Sequence, residues 1–466
     1  MLDLIIKNGT VVTPWSSFKA DIAVKDSVIE AVGAASLFGR AKREIDAEGM
    51  YVLPGIIDPH THFESPFMGC KGALDFYSGS IAGAFGGVTT FIDFTNSRAG
   101  HSVMASIRER REEMSKSCID YGVHAKFVEA ERPVLDEIKS IVEYGCPSFK
   151  MFMTYKKEGV MIDDEGMLSV MAEAKKWGGL PGVHAENNAI AESNVEKFIE
   201  EGRLEWEYFA KSKPNLCEME AVQRVVLYAR YTGCPLYIFH LSTAEGLSVI
   251  KQAQSEGVKV FTETCPHYLT LTREKYKQKD GHLYVMSPPL RGEQDLEAMW
   301  RGLGDGSISI IGSDDCTYSI EEKEMFLERD AEGNVKQDFT KIANGVQGIE
   351  ARLMLLLEEG VNKGRITLNK LCEITSYNPA KTFGLYPQKG IIQKGSDADL
   401  VIIDPDKVRE ISHETLHHKV NYSIYDGRSV KGWPVVTIHR GRVIVENGEF
   451  LGSRGDGRFM KRKIRL

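Results

Sequence analysis

Apolar and polar residues follow two different rhythms along this chain. Near the N-terminus, LIIKNGTVVT has β-branched runs on either side of an Asn-Gly pair, and ADIAVKDSVIEAVG alternates apolar and polar residues across a Lys-Asp turn. Alternation with period two marks a half-buried strand, and Asn-Gly suits the positive φ of tight hairpin turns. The far end has the same rhythm, in ADLVIIDP and in VVTIHRGRVIVENGEF with its glycine turns. The two ends therefore predict one β-sandwich domain, built from residues 1–51 and 384–450, with residues 451–466 left as a basic tail.

Between the ends the rhythm changes. Short apolar strands alternate with amphipathic stretches: VTTFIDF before SVMASIRERREEMSK, SFKMFMT before GMLSVMAEAKKW, and PLYIFHLS before GLSVIKQAQSEG. PGVHAE, KVFTETCPH and ISIIGSDD are further strands. Continuous apolar runs followed by helices are the signature of parallel βαβ units. Repeated over residues 52–383, they predict an α/β fold, a TIM-type (β/α)8 barrel carrying the sandwich formed by both chain ends. Barrels of this type keep their active-site groups at the C-terminal ends of the strands.

Composition narrows the function classes. With 58 basic and 66 acidic residues the net charge is −8, which argues against a nucleic-acid groove, since that needs a basic stripe. Basic residues gather only at Lys461, Arg462, Lys463 and Arg465, read as a solvated or docking tail, and Gly455-Asp456-Gly457 before them reads as a loose segment. Eight scattered cysteines with no CxxC pair read as small buried hydrophobes. No apolar stretch approaches the ~20 residues of a membrane span. The N-terminus lacks the basic and apolar regions of a signal peptide, so the expected location is cytoplasmic.

The candidate chemistry falls at strand ends. GIIDPHTHF carries His60 and His62, which a strand's period of two turns to one side, at the end of the apolar run VLPGIIDPH. Two imidazoles on one face suit a divalent metal. His184 in PGVHAEN and His240 in LYIFHLS also end apolar strands. Either alone is more often a satisfied core histidine; three strand ends offering histidine are harder to dismiss. Asp314 ends ISIIGSD; commonly such an aspartate caps a helix, but beside four histidines it fits a ligand and proton carrier. Lys150 in SFKMFMT reads singly as a buried salt bridge. In an apolar barrel mouth, desolvation favours its neutral amine, which can take up carbon dioxide and become a carbamate able to bridge two metals.

The order HxH, Lys, His, His, Asp on successive strand ends resembles the amidohydrolase superfamily. DPHTHFESPFMG, SFKMFMTY, GVHAEN, FHLS, SPPLR and GSDDCT together resemble its dihydropyrimidinase/hydantoinase branch, and the likeness extends to NPAKTFGLYPQKGIIQKGSDADLVIIDPD. The resemblance implies a hydrolase that opens a cyclic amide or imide with a metal-bridging hydroxide, giving an N-carbamoyl amino acid. It implies two divalent ions per chain, zinc being the expected metal. His60, His62 and Asp314 would hold the more buried ion, His184 and His240 the more exposed one, and N6-carboxylated Lys150 would bridge them. Tyr155 would steady the carbonyl oxygen as it turns anionic, and the segments around Ser287 and Asn344 would hold the ring's amide edge. The implied partners are a small cyclic amide and, for assembly, a homotetramer or a dimer.

Three departures bear on the substrate. Asp315 follows Asp314 where the family usually has histidine; on a strand it points away, so a change among the ligands is not expected. Ser65 stands where many hydantoinases have leucine, removing apolar surface from the substituent pocket, with Phe63 and Phe152 remaining as its expected apolar walls. Dihydroorotases carry an arginine after HxH; Phe63-Glu64 here lacks it, which disfavours dihydroorotate. Two other readings share the fold: an allantoinase-like or other cyclic amidohydrolase, and a non-catalytic scaffold such as the collapsin response mediator proteins, which have lost the ligands filled here.

Overall fold

Eight parallel strands form the middle of the chain in the computed structural model, which describes residues 1–466. They are β1 (Ile56–Thr61), β2 (Val88–Phe94), β3 (Asp120–Lys126), β4 (Ser148–Phe152), β5 (Leu180–His184), β6 (Leu236–Ile238), β7 (Val260–Thr264) and β8 (Ile310–Ile311). Each pairs with the next. A parallel bridge between Thr61 and Asp315, with the His62 amide donating to the Asp315 carbonyl at 2.8 Å, joins the first strand to the chain after the last and closes the barrel. Every residue of β2 is buried, because helices cover one face and the barrel interior the other; this is why such strands read as unbroken apolar runs. The predicted helices form at Val103–Met114, Asp164–Trp177 and Ala244–Ser255, started by side-chain caps from Ser102, Asp163 and Thr243.

Both chain ends build the second domain. Leu2–Lys7, Asp21–Lys25, Val28–Gly33 and Ala41–Asp46 make one sheet. In the other, Thr10–Val12 and Tyr51–Pro54 join Leu400–Ile411 and Arg428–His439. Fifteen buried apolar residues, from Leu4 to Ile438, form a core distinct from that of the barrel.

Two local readings change. The run VLPGIIDPH divides at Gly55: Val52, Leu53 and Pro54 pair with Leu400–Ile402 in the sandwich, and the barrel starts at Ile56. A side chain at Gly55 would collide with Thr89, so the crossing between domains needs glycine. The C-terminal segment is not loose. The Tyr121 amide donates to the Arg458 carbonyl at 3.0 Å and the Met460 amide to the Tyr121 carbonyl at 2.8 Å, so the chain lies along the start of β3. Arg462 is buried under the barrel and donates to Ser148 Oγ at 2.8 Å and to the Val123 carbonyl. Backbone donors and acceptors at the start of β3, together with the Ser148 hydroxyl, draw in a segment whose charge pattern suggested a solvated end.

Candidate active site at the barrel mouth

His60 lies on β1, Lys150 on β4, and His184 ends β5, while His240 and Asp314 follow β6 and β8 within three residues. Their side chains meet at one mouth. His60 Nε2 is 3.0 Å from Asp314 Oδ1 and 3.2 Å from His62 Nε2, and His62 Nε2 is 3.3 Å from the same carboxylate oxygen. The His240 ring centroid lies 4.4 Å from that of His184 and 5.4 Å from that of His60. Ligand atoms of His60, His240 and Asp314 fall within 4.8 Å of one another. Tyr155, His240 and Asp314 have φ of 65°, 38° and 51°, a left-handed region that side-chain-bearing residues seldom occupy. The barrel therefore holds three chemistry-bearing residues against local strain, a pattern concentrated at functional sites.

The donor set fits divalent ions. Imidazole nitrogens and a carboxylate suit zinc-like metals, and the buried His240 Nδ1 has no hydrogen-bond partner within the protein. Burial keeps the His184 imidazole neutral, lowering it to about 4, and burial with His184 and Lys150 holds His240 well below its ordinary value. His60 goes the other way: burial opposes its charge, but Asp314 and Glu263 outweigh burial and raise it to about 9. Asp314 stays far below the usual carboxylate range despite burial, held there by His60 and His62. Lys150 makes no salt bridge, although Asp314 and Glu263 lie near enough to favour its charge. Its Nζ sits over the rings of Phe239, Phe152 and Phe94 at 3.9, 4.9 and 5.1 Å, and burial lowers the ammonium to about 7. The salt bridge that a buried lysine taken singly suggests is absent, and a neutral amine is accessible near neutral pH.

The amidohydrolase family profile matches residues 51–444. The chain belongs to the amidohydrolase family. It is 40% identical to the D-hydantoinase of Ralstonia pickettii, with 99% of each chain covered. It is 37% identical to the D-phenylhydantoinase of Escherichia coli, over 99% of this chain and 98% of that one. The solved dihydropyrimidinase from Brevibacillus agri superposes with a TM-score of 0.96 at 38% identity, covering 100% of both chains. The L-hydantoinase (dihydropyrimidinase) from Arthrobacter aurescens does so at 0.90 and 33%, covering 99% of this chain and 100% of that one. Within its family the chain therefore lies in the hydantoinase/dihydropyrimidinase branch.

Of the substrate residues expected in this amidohydrolase, Tyr155, Ser65, Phe152, Ser287 and Asn344 line the pocket that also holds His62, His184, His240 and Asp314. Asn344 Nδ2 donates to the Tyr155 hydroxyl at 3.1 Å. Phe63 does not line it. The ring is buried between β2 and the helix Phe76–Phe85, 5.5 Å from the Phe91 ring and 6.1 Å from that of Phe76. Alternation after His62 turns residue 63 out of the barrel, and Phe67 and Phe94 supply the apolar wall instead. Asp315 points away from the mouth as expected, accepting from the Gly348 and Ile349 amides, Thr317 Oγ1 and His418 Nε2.

Sequence reasoning missed two carboxylates behind the histidines. Glu263 accepts from His60 Nδ1 and from the Tyr237 hydroxyl at 2.7 Å, which turns His60 Nε2 toward Asp314. Glu186 accepts from His184 Nε2 and from Ser287 Oγ, both at 2.8 Å, leaving His184 Nδ1 unengaged. Partners of this kind set a metal-binding histidine's tautomer and orientation. The spacing in His184-Ala185-Glu186 was a usable signal for the second; Glu263, inside an ordinary strand, offered none.

Proposed function

We propose that this chain opens the ring of a hydantoin or dihydropyrimidine by amide hydrolysis, releasing an N-carbamoyl amino acid. It is a metal-dependent hydrolase of cyclic amides. The observation that carries the reading is one mouth in which four imidazoles, Asp314 and a lysine without a carboxylate partner converge. His60, His62 and Asp314 would hold one divalent ion and His184 and His240 a second, zinc being the metal proposed. Lys150, as the neutral amine, would bond its Nζ to the carbon of carbon dioxide and release a proton, giving a bridging carbamate. Bound there, a metal pair supplies Lewis acidity toward the carbonyl and lowers the pKa of the attacking water.

The chain's own groups account for the other needs of the reaction. Asp314, ionised and central, takes the proton of the attacking water and returns it to the leaving ring nitrogen. Tyr155 keeps its proton, since burial pushes the phenol up, and so donates to the oxyanion from a fixed position beside Asn344. Ser287 and Asn344 hold the ring's amide edge, and Phe152 and Ser65 border its substituent. No helix is long and apolar enough to cross a membrane. A cytoplasmic homotetramer is the state the resemblance favours, and sedimentation of the purified protein measures its size.

A ring-opening assay across dihydrouracil, substituted hydantoins, allantoin and cyclic imides tests the reaction, with elemental analysis of the same preparation. Turnover of dihydrouracil or a hydantoin with two ions per chain is expected; one ion or fewer in active enzyme rejects the two-metal reading. Asp314→Asn should lower turnover by at least ~100-fold. Near-normal rates in the metal-replete variant would remove its proton role.

A further inference from the structure

Lys126 ends β3 and lines the mouth beside His62, Ser65 and Thr95. Its ammonium makes no salt bridge and no side-chain hydrogen bond, although it is largely covered. The carboxylates of neighbouring strand ends and loops are already engaged. Asp93 accepts from Arg110 and the Phe63 amide, Glu64 pairs with Lys116 at 2.7 Å, and Glu129 accepts from the Gly100 amide. The other cations around the mouth are accounted for as well: Lys213 donates to Ser287 Oγ at 2.5 Å, and Lys150 lies in its aromatic box. Lys126 is thus a covered amine without a counter-ion, lowered to about 8 by burial and Arg110 and still charged at neutral pH, facing the space that a substrate enters.

Its surroundings are polar. The Lys126 amide donates to Thr95 Oγ1 at 2.8 Å, Thr95 and Ser97 share a hydroxyl contact at 2.9 Å, and Ser65 Oγ donates to Asn96 at 3.3 Å. The lining also has apolar groups, at Phe67, Phe152, Val160 and Met286, besides Tyr155, Ser287 and Asn344. The pocket therefore has a mixed lining, and it includes both the serine that departs from the hydantoinase pattern and the unpaired Lys126. The arginine missing after HxH removed a carboxylate-binding cation from β1; β3 brings one from another direction.

We infer that the substrate is a cyclic ureide whose ring substituent carries a carboxylate, and that Lys126 pairs with this group at the polar wall. The inference rests on the proposed ring-opening reaction and names its substrate class. A partly covered ammonium favours an anion over a neutral group of equal shape by about 10- to 100-fold, the worth of a hydrogen bond between charged partners.

Carboxymethyl-hydantoin and its primary amide differ in charge and little in shape. kcat/KM and calorimetric Kd for both are compared in the holoenzyme, in Lys126→Met and in Lys126→Arg, with metal content and dihydrouracil turnover followed alongside. The wild type should favour the acid by about 10- to 100-fold, Lys126→Met should abolish the preference, and Lys126→Arg should keep part of it. Equal handling of acid and amide by the wild type, or a preference that survives in Lys126→Met, overturns the assignment. So does a loss that strikes both compounds equally together with metal, which would make Lys126 a support for Lys150. Binding separates the two levels: a wild type that opens no ring but binds the acid through Lys126 refutes the reaction alone, and one that opens rings without charge preference refutes the substrate class alone.

Discussion

Two of the buried lysines sit at opposite ends of this barrel in opposite surroundings. At the bottom, Lys389 Nζ lies 2.8 Å from Asp120, 3.1 Å from Asp397 and 2.5 Å from Asp399, and His439 and Arg440 approach Asp120 at 3.1 and 3.5 Å. Burial disfavours its charge, yet Asp399, Asp120 and Asp397 hold the ammonium well above its ordinary value. At the mouth, Lys150 packs on aromatic rings and forms no salt bridge, and burial outweighs Asp314 and Glu263 and lowers it to about 7. The same side chain, equally hidden, is a fixed cation in one place and an amine that loses its proton near neutral pH in the other. The first joins β3 to the approach to the sandwich and is a matter of stability; the second is the one for which a chemical role is proposed. Three aspartates that would otherwise suggest a metal cluster are thereby explained by the lysine among them.

Methionine at each position should separate the two roles most sharply. Lys389→Met leaves buried carboxylates without their cation and should cost about 3–5 kcal/mol in urea unfolding, while the folded remainder keeps its metal. Lys150→Met should change the stability of the metal-free protein by less than about 1.5 kcal/mol, because aromatic rings accept a thioether of similar volume. Its metal affinity and turnover should nevertheless fall by more than the about 10–100-fold typical of a group behind a ligand. A Lys150→Met protein that unfolds, or a Lys389→Met protein of unchanged stability, would break the comparison.

Acidity sharpens it further. Burial opposes the charge of Asp120, but Lys389 and His439 lower its carboxyl below the unfolded value, so its contribution is present above about pH 4 and fades as pH falls. Lys389 is raised, so its contribution is present below about pH 10 and is lost as pH climbs through the folded value. Asp397 runs against this, already raised by burial. The Asp397 contribution is lost as pH rises from about 4 through its raised folded value, so wild-type stability from this cluster should be flat only between that value and about pH 10. In Lys389→Met the uncompensated aspartates should take up protons more readily, so the deficit narrows from pH 7 toward pH 4. Urea titrations of both proteins at several pH values measure it; a deficit that does not vary with pH would detach the cluster from stability.

Smaller effects are expected behind and beside the histidines of the mouth. Glu263→Gln should weaken metal binding by about 10–100-fold in a chelator competition with the fold retained, because His60 loses the partner that aims it. Unaltered affinity would make Glu263 a spectator. Ser65→Leu should move preference toward aryl-hydantoins over dihydrouracil by about 1 kcal/mol, the low end for one apolar contact at a half-open position. An unchanged ratio of kcat/KM values would mean that residue 65 does not touch the substituent.

The sequence by itself determined what each element is. The βαβ rhythm and the alternating ends were legible as barrel and sandwich because burial on two faces or one is written into local periodicity. His60, His62, His184, His240 and Asp314 were legible for the same reason: each closes an apolar run, and such barrels bring strand ends to one mouth. Tertiary structure alone decided what the polar groups on those elements do. Lys126 and Lys150, neighbours in register on β3 and β4, differ because one faces a polar wall and the other three phenyl rings. Phe63 left the pocket, Arg462 went under the barrel, and the run through Gly55 was divided between two domains. Glu263 found His60 across 203 positions of chain. Periodicity acts over a few residues and can say which face is buried; the charge state and partner of a buried group depend on the dielectric and the neighbours that other strands bring, and those exist only once the barrel has closed.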